Sequence, residues 1–197
     1  MKPRKNDEIN NITFEEYFQN APLDDNEKGK RISLAEELEI LFLYLFVAID
    51  EPNIEQTVIE KYQEIVTKHL GLDKTPAYIA SMAQTCITEV AKTTREHIDT
   101  DYFTSKDRAI NIAADQSHGV MEYKGYVDAV KQGKTRKIWI SELLETTRPD
   151  HFLAHGQEVG IFQRFHVGDS DFDFPRDIKY NPSAEQIVNC VCHCKYI

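Results

Sequence analysis

Apolar residues recur at helical spacing through most of the first 130 positions, and the period changes after that. From Ile54 to Leu70 the set Ile54, Val58, Ile59, Tyr62, Ile65, Val66 and His69 falls on one face, predicting a helix that Gly71 ends. A second stripe, Ile79, Met82, Ala83, Cys86, Ile87 and Val90, predicts a helix that opens near Thr75-Pro76 and reaches about His97. Cys86 lies on that stripe and reads as a buried, inert thiol. A third set, from Ala109 and Ile110 to Val127 and Val130, predicts a helix opened by Thr104 or Ser105 and closed near Lys131. Gly119 and Gly125 are its expected weak points. Upstream, Ser33 followed by Glu36 fits a capping box and predicts a helix to about Asp50. From Ile40 onward that helix is apolar on all sides, the pattern of a buried central helix.

Residues 1–32 are polar, with one apolar patch at Ile12, Phe14, Tyr17 and Phe18. Thr13 is expected to cap a short helix there, and Asn20 to Lys30 reads as loop. After Lys131, Gln132-Gly133-Lys134 predicts a turn. Arg136 to Ser141 then predicts a short strand, with Ile138 and Ile140 on one face and Trp139 on the other. Further short strands are expected at Gln157 to Phe165 and at Ile187 to Cys194. Between them, G-D-S-D-F-D-F-P-R-D and Y-N-P-S are loop chemistry. The expected fold is α+β: mainly helical over the N-terminal two-thirds, with a small loop-rich C-terminal unit of short strands. Its expected divisions are a polar arm at 1–32, a helical region at 33–104 and a further unit at 105–197.

Composition narrows the functions open to such a chain. With 197 residues and 41% apolar content it can bury a core. The net charge of -10 is uneven: 11 basic against 19 acidic residues in 1–100, and 12 against 14 in 101–197. An acidic body is a poor general binder of nucleic acid, because phosphate affinity comes largely from Lys and Arg. The basic spots at Lys2 to Lys5 and Lys131 to Lys137 read as solvated faces. The apolar run Ile40 to Ile49 is too short to cross a bilayer, and the start K-P-R-K-N-D-E carries no apolar signal segment. No membrane partner is expected. Three of the four Cys lie within five residues, which suits reduced thiols or a metal better than a disulfide framework, and a reducing compartment at synthesis.

The candidate chemistry sits in two clusters. His151-x-x-x-His155 has metal-ligand spacing for one helix face, but Phe152 stands where a zinc protease needs Glu. Pro149 and Gly156 leave room for two helical turns at most. What remains is an ion held by His151 or His155 with Cys190 and Cys192, with His193 and Cys194 as substitutes. Hydrogen-bonded His and free thiols are the other reading, and the spacing leaves both open. A Cys–His nucleophile pair is disfavoured by the crowding of three thiols. Asp169, Asp171 and Asp173 alternate as in a calcium loop, but Phe174 and Tyr180 stand where that loop needs Gly and Glu. A solvated acidic turn is the reading there.

The order of these elements resembles the phage head morphogenesis, or Mu-type minor capsid, proteins. The resemblance is carried by Arg108-Ala109 to Ile112-Ala113, then Lys137-x-Trp139-x-Ser141, then Glu145-Thr146-Thr147-Arg148-x-x-His151. It continues through His155-Gly156-Gln157-x-Val159, Phe165 and Pro175 to Asn189-Cys190-Val191-Cys192. It covers roughly 105–197. Two positions depart from the family: Val191 stands where it usually has Arg, and His155 where it usually has Asp. Some members look like T-C-x-x-C at Arg148 to His151, and zinc ligands exchange in that way. The resemblance therefore implies a structural zinc near His151, Cys190 and Cys192. It also implies a virion protein, made in host cytoplasm and present in a few copies per particle, that associates with portal or inner capsid during head assembly. Some relatives bind or accompany packaged DNA; others carry fused toxin domains, and no such domain is expected here.

The preferred expectation is a non-enzymatic minor head protein whose C-terminal unit is pinned by Trp139, Arg148, His151, Gly156, Gln157 and the Asn189-Cys190-Val191-Cys192 end. Arg148 is expected to bind a carbonyl or to make an ion pair, with Glu185 as the candidate partner. The alternative is a small metal-dependent hydrolase or nuclease built on His151, His155, Cys190 and Cys192. Glu145, Asp150 and Glu158 are its nearby carboxylates, none in a recognisable catalytic spacing. A third reading is a helical adaptor whose acidic half binds a basic partner.

Overall fold

The computed structural model describes residues 13–197; the expected roles of Ile12 and of Lys2 to Lys5 lie outside them. The fold is α+β, with helices through the N-terminal two-thirds and short antiparallel strands after them. Helix α1 (Phe14–Phe18) opens with a capping box: Thr13 Oγ1 accepts from the Glu16 amide, and the Glu16 carboxylate accepts from the Thr13 amide at 2.8 Å. Phe14 and Phe18 are buried.

Helix α2 (Asp25–Val47) starts eight residues before the expected Ser33. Its cap is Asp24, whose carboxylate accepts from the Glu27 amide at 2.8 Å. The second half of the stretch expected to be loop, residues 25–30, is therefore helix, and the helix crosses the boundary expected at residue 32. Its C-terminal half is not buried all round, since Ile40 and Val47 are 69% and 88% exposed. The inward residues Leu34, Leu38, Leu41, Phe42 and Leu45 form the buried face.

Helix α3 (Ile54–His69) ends at Gly71, φ +65°. There the Gly71 amide donates to Lys68 O and the Leu72 amide to Thr67 O, closing a Schellman motif. Helix α4 (Ala77–Glu96) follows Pro76. Helix α5 (Lys106–Lys131) is capped by Ser105 Oγ and ends at Gly133 with the same bond pattern. It runs unbroken through Gly119 and Gly125. Gly119 is a close approach instead: a Cβ there would lie 3.4 Å from Met82 Cε and 3.6 Å from Arg176 Nε. Residues Ala109 to Met121 of α5 complete the helical core, so the helical layer extends past residue 105.

Beyond α5 the chain builds a second, smaller core. Strand β1 (Arg136–Ile140) lies between β2 (Glu158–Gly160) and β5 (His193–Tyr196), antiparallel to both. Its buried face carries Lys137 and Trp139, while Ile138 and Ile140 are half-buried. Lys137 is accommodated because its ammonium donates to Asp173 O at 2.6 Å and lies over the Tyr126 and Phe165 rings. Strands β3 (Phe165–Val167) and β4 (Ser170–Phe172) form a hairpin. The short helices α6 (Pro149–Ala154) and α7 (Ala184–Ile187) fill the connections, α7 taking the start of a stretch expected to be strand.

Candidate metal centre and its buried polar surround

Four local devices bring the centre together. Pro149 opens α6, which is short enough that His151 and Ala154 form its buried face. Gly156, φ +77°, then turns the chain so that its amide donates to Trp139 O at 2.8 Å. The Gln157 side chain pairs with the backbone of His166, accepting at 3.0 Å and donating at 3.3 Å. Asn189 adopts φ +54°, a region Asn tolerates well, and its amide donates to Asp115 on α5. From there the chain is extended, so residues two apart share a face and Cys190, Cys192 and Cys194 all point inward.

His151, Cys190 and Cys192 are buried, and their donor atoms lie within 4.8 Å of one another; they could hold a metal ion. His151 Nδ1 is 3.2 Å from Cys192 Sγ and 3.6 Å from Cys190 Sγ. The imidazole's orientation is set from behind. Asp150 Oδ2 accepts from Gln186 Nε2 at 2.9 Å, which turns Gln186 Oε1 toward His151 Nε2 at 3.0 Å. Nε2 then carries the proton, and the Nδ1 lone pair faces both sulfurs. Gly168, φ +60°, lies against that relay: a Cβ there would come within 2.5 Å of Gln186 Nε2 and 2.6 Å of Asp150 Oδ2. Trp139, fully buried, meets His151 edge-on and donates from Nε1 to Ser141 Oγ at 3.2 Å. Ser141 in turn donates to His151 O at 2.6 Å. The two thiols share their acidity unequally. The hydrogen bond between them, with burial, pushes Cys190 up, while the bond from Cys190 holds Cys192 below its usual range.

Other sequence-predicted residues fall elsewhere. His155 is exposed, because α6 ends at Ala154 and the next residue leaves the helix face; its Nδ1 accepts from the Ser141 amide at 3.1 Å. It is not part of the ligand group. Cys194 stands opposite Trp139 in the β1–β5 register, and burial pushes its thiol up to about 12. Arg148 donates to Val188 O. Glu185 is exposed, and among the described residues no ion pair joins it to Arg148. The acidic turn is spoken for, with Asp171 accepting from His166, Asp169 from Ser183, and Asp173 from Lys179 and Tyr180. Cys86 is half-buried, and burial pushes it up to about 12.

Behind the centre lies a polar network that the sequence pattern did not single out. Arg31 of α2 donates from Nη2 to Glu122 at 2.7 Å and from Nε to His118 Nδ1 at 2.9 Å. His118 therefore carries its proton on Nε2, which donates to Cys192 O at 2.8 Å. Glu122 also accepts from His193 Nδ1 at 2.8 Å and from the Cys194 amide at 3.1 Å. All three buried members are at most 1% exposed. Burial, with Arg31 adjacent, holds His118 down at about 3. Burial would raise Glu122, but His193 and Arg31 outweigh it and hold the carboxyl at about 2. Burial would lower His193, and Glu122 raises it instead. The only sequence signal was His118 and Glu122 four apart on one helix; nothing local pointed to Arg31. A second link joins Tyr17, Asp115 and Arg176, with Arg176 Nη1 donating to Asp115 at 2.5 Å and to Ile187 O at 2.7 Å. No family model matches the chain, and no curated protein or solved structure matches it either.

Proposed function

We propose that this chain is a structural, non-enzymatic minor head protein of a phage, docking on portal or inner capsid in several copies per virion, beside packaged DNA. The observation that carries the reading is convergence. The residues that bear the resemblance, Trp139, Arg148, His151, Gly156, Gln157, Asn189, Cys190 and Cys192, meet in one clasp although they are scattered along the chain.

The ion we assign to the clasp is zinc. Bond lengths of about 2.3 Å to sulfur and 2.0 Å to nitrogen put tetrahedral N–S edges near 3.5 Å. The two N–S distances of 3.2 and 3.6 Å bracket that value. Zinc bound there would supply a cross-link between α6 and the segment leading into β5. A hydrolytic alternative needs a free general base beside an open metal position. Asp150 is engaged by Gln186 and Glu158 pairs with Arg136, which favours the structural reading.

Purified particles, analysed by mass spectrometry, test the assignment. The chain should be found in them at low copy number, with zinc. Its absence from the particles would sink the reading.

A further inference from the structure

The outer face of α2 carries a feature that neither the clasp nor the buried network uses. Ile40, Tyr44 and Val47, spaced four and three residues apart, form one ridge with 69%, 50% and 88% of their surfaces exposed. Leu43 is half-buried beside them. A single exposed apolar side chain is ordinary, but three large ones in register on one helix face suit a helical partner. Carboxylates border the ridge along the chain: Glu36 one turn before it, and Asp50 and Glu51 just after it. The cations that reach α2 from its neighbours are already matched, Lys68 to Glu37 and Lys106 to Glu39 at 3.4 Å each. Glu36, Asp50 and Glu51 have no such counter-ion among the described residues.

We propose that this ridge is the docking face for a cationic amphipathic helix of another protein. The partner's apolar stripe lies along Ile40, Tyr44 and Val47, and its basic residues meet the unmatched carboxylates. A second copy of the chain is the weaker occupant, because two-fold pairing would set the same carboxylates against each other. That the partner is a head-assembly subunit rests on the function proposed above; the surface and the chemistry of its partner do not.

The probe is a synthetic helical peptide of leucine and lysine, about 18 residues long so that it spans the ridge, with its lysines replaced by glutamates in the control. Titrated into the full-length protein at low ionic strength, the lysine peptide should bind and the glutamate peptide should not. Ile40→Lys with Val47→Lys removes two apolar anchors and should weaken binding by at least about tenfold, which the loss of one anchor alone would give. Both positions are exposed, so the double variant should keep the parent's melting curve, which separates lost docking from lost folding. Equal binding of the two peptides, or unchanged binding by the double variant, overturns the proposal. Self-association that the double variant abolishes would give the ridge to a second copy. Tighter binding after Lys2→Glu, Arg4→Glu and Lys5→Glu would give it to the chain's own amino-terminal segment. Each of these two results also overturns it. Absence of the chain from particles would remove only the partner's identity as a head subunit and leave the peptide result standing.

Discussion

Glu122→Gln should be among the most destabilising single changes this protein can accept without losing volume. The carboxylate is 1% exposed and receives three donors: Arg31 Nη2, His193 Nδ1 and the Cys194 amide. An amide of the same shape has one acceptor oxygen and one NH2 group. Placed at the Oε2 site, the NH2 faces the Cys194 amide, donor against donor; placed at the Oε1 site, it faces the Arg31 guanidinium. Either way one contact turns repulsive, and Arg31, itself 1% exposed, loses its buried counter-charge. Removing one partner of a buried ion pair costs about 3–5 kcal/mol. For a domain of this size that corresponds to a drop in Tm of roughly 6–20 °C. Urea unfolding followed by far-UV circular dichroism and by Trp139 fluorescence would measure it. Trp139 is the sole Trp and lies in the strand unit, whereas circular dichroism reports mainly on the helices. Because Glu122 links α5 to β5, the fluorescence transition should move to lower urea further than the helical signal does. A loss under about 1 kcal/mol with an unchanged m-value would refute the reasoning, since it would mean the network is solvated or readily rearranged.

Acid should act on the same network. His118 is held at about 3 and Glu122 at about 2, both below their unfolded values, so the unfolded chain binds more protons as pH falls. Stability should therefore decline by about 1.4 kcal/mol per pH unit below roughly 6.5, and more steeply below about 4.5 where Glu122 joins in. His193 has the opposite sign: Glu122 raises it, so its contribution is complete below about 6.5 and is lost as pH climbs through its folded value. Denaturation at a series of pH values should place the optimum near neutrality, and a flat acid limb would contradict the assignment. His151→Ala or Cys192→Ser should abolish stoichiometric zinc in elemental analysis, whereas His155→Ala should retain it; loss in the His155 variant would restore that residue as a ligand. Gly168→Ala should displace the Asp150–Gln186 relay and weaken zinc affinity by about 10–100-fold in chelator competition while the thiol ligands stay in place.

Where local chemistry decides structure, the sequence was legible. Gly71 and Gly133 stop helices because both sit at positive φ in Schellman motifs, and Ser105 caps α5 with its own side chain. The start of α2 was not legible, because Asp24-x-x-Glu27 and Ser33-x-x-Glu36 are equally good N-terminal signals. The choice falls to Arg31, which must be helical to reach Glu122, 91 residues away. The exposure of Ile40, Tyr44 and Val47 was hidden for a similar reason, since an all-apolar helix looks alike whichever face lacks a neighbour. In the candidate site the ligand types were conspicuous, but the end of α6 decided which His could take part. Gln186 and Gly168 carry no chemical flag at all; their place beside His151 comes only from tertiary contact.

The position of β1 between β2 and β5 also sets an order of events during folding. Its β2 edge is closed locally, Ile138 pairing with Glu158 only 20 residues on, whereas Lys137 pairs with Tyr196 across 59. Each helix can start from local contacts, but the strand unit waits for that long closure and leaves one edge of β1 unpaired meanwhile. An ion joining His151 to Cys190 spans only 39 residues, and on the chain-entropy scale used for cross-links a loop of that length corresponds to about 4 kcal/mol. Metal supply during synthesis would then govern how long the open edge persists, and with it the fraction of chains lost to aggregation.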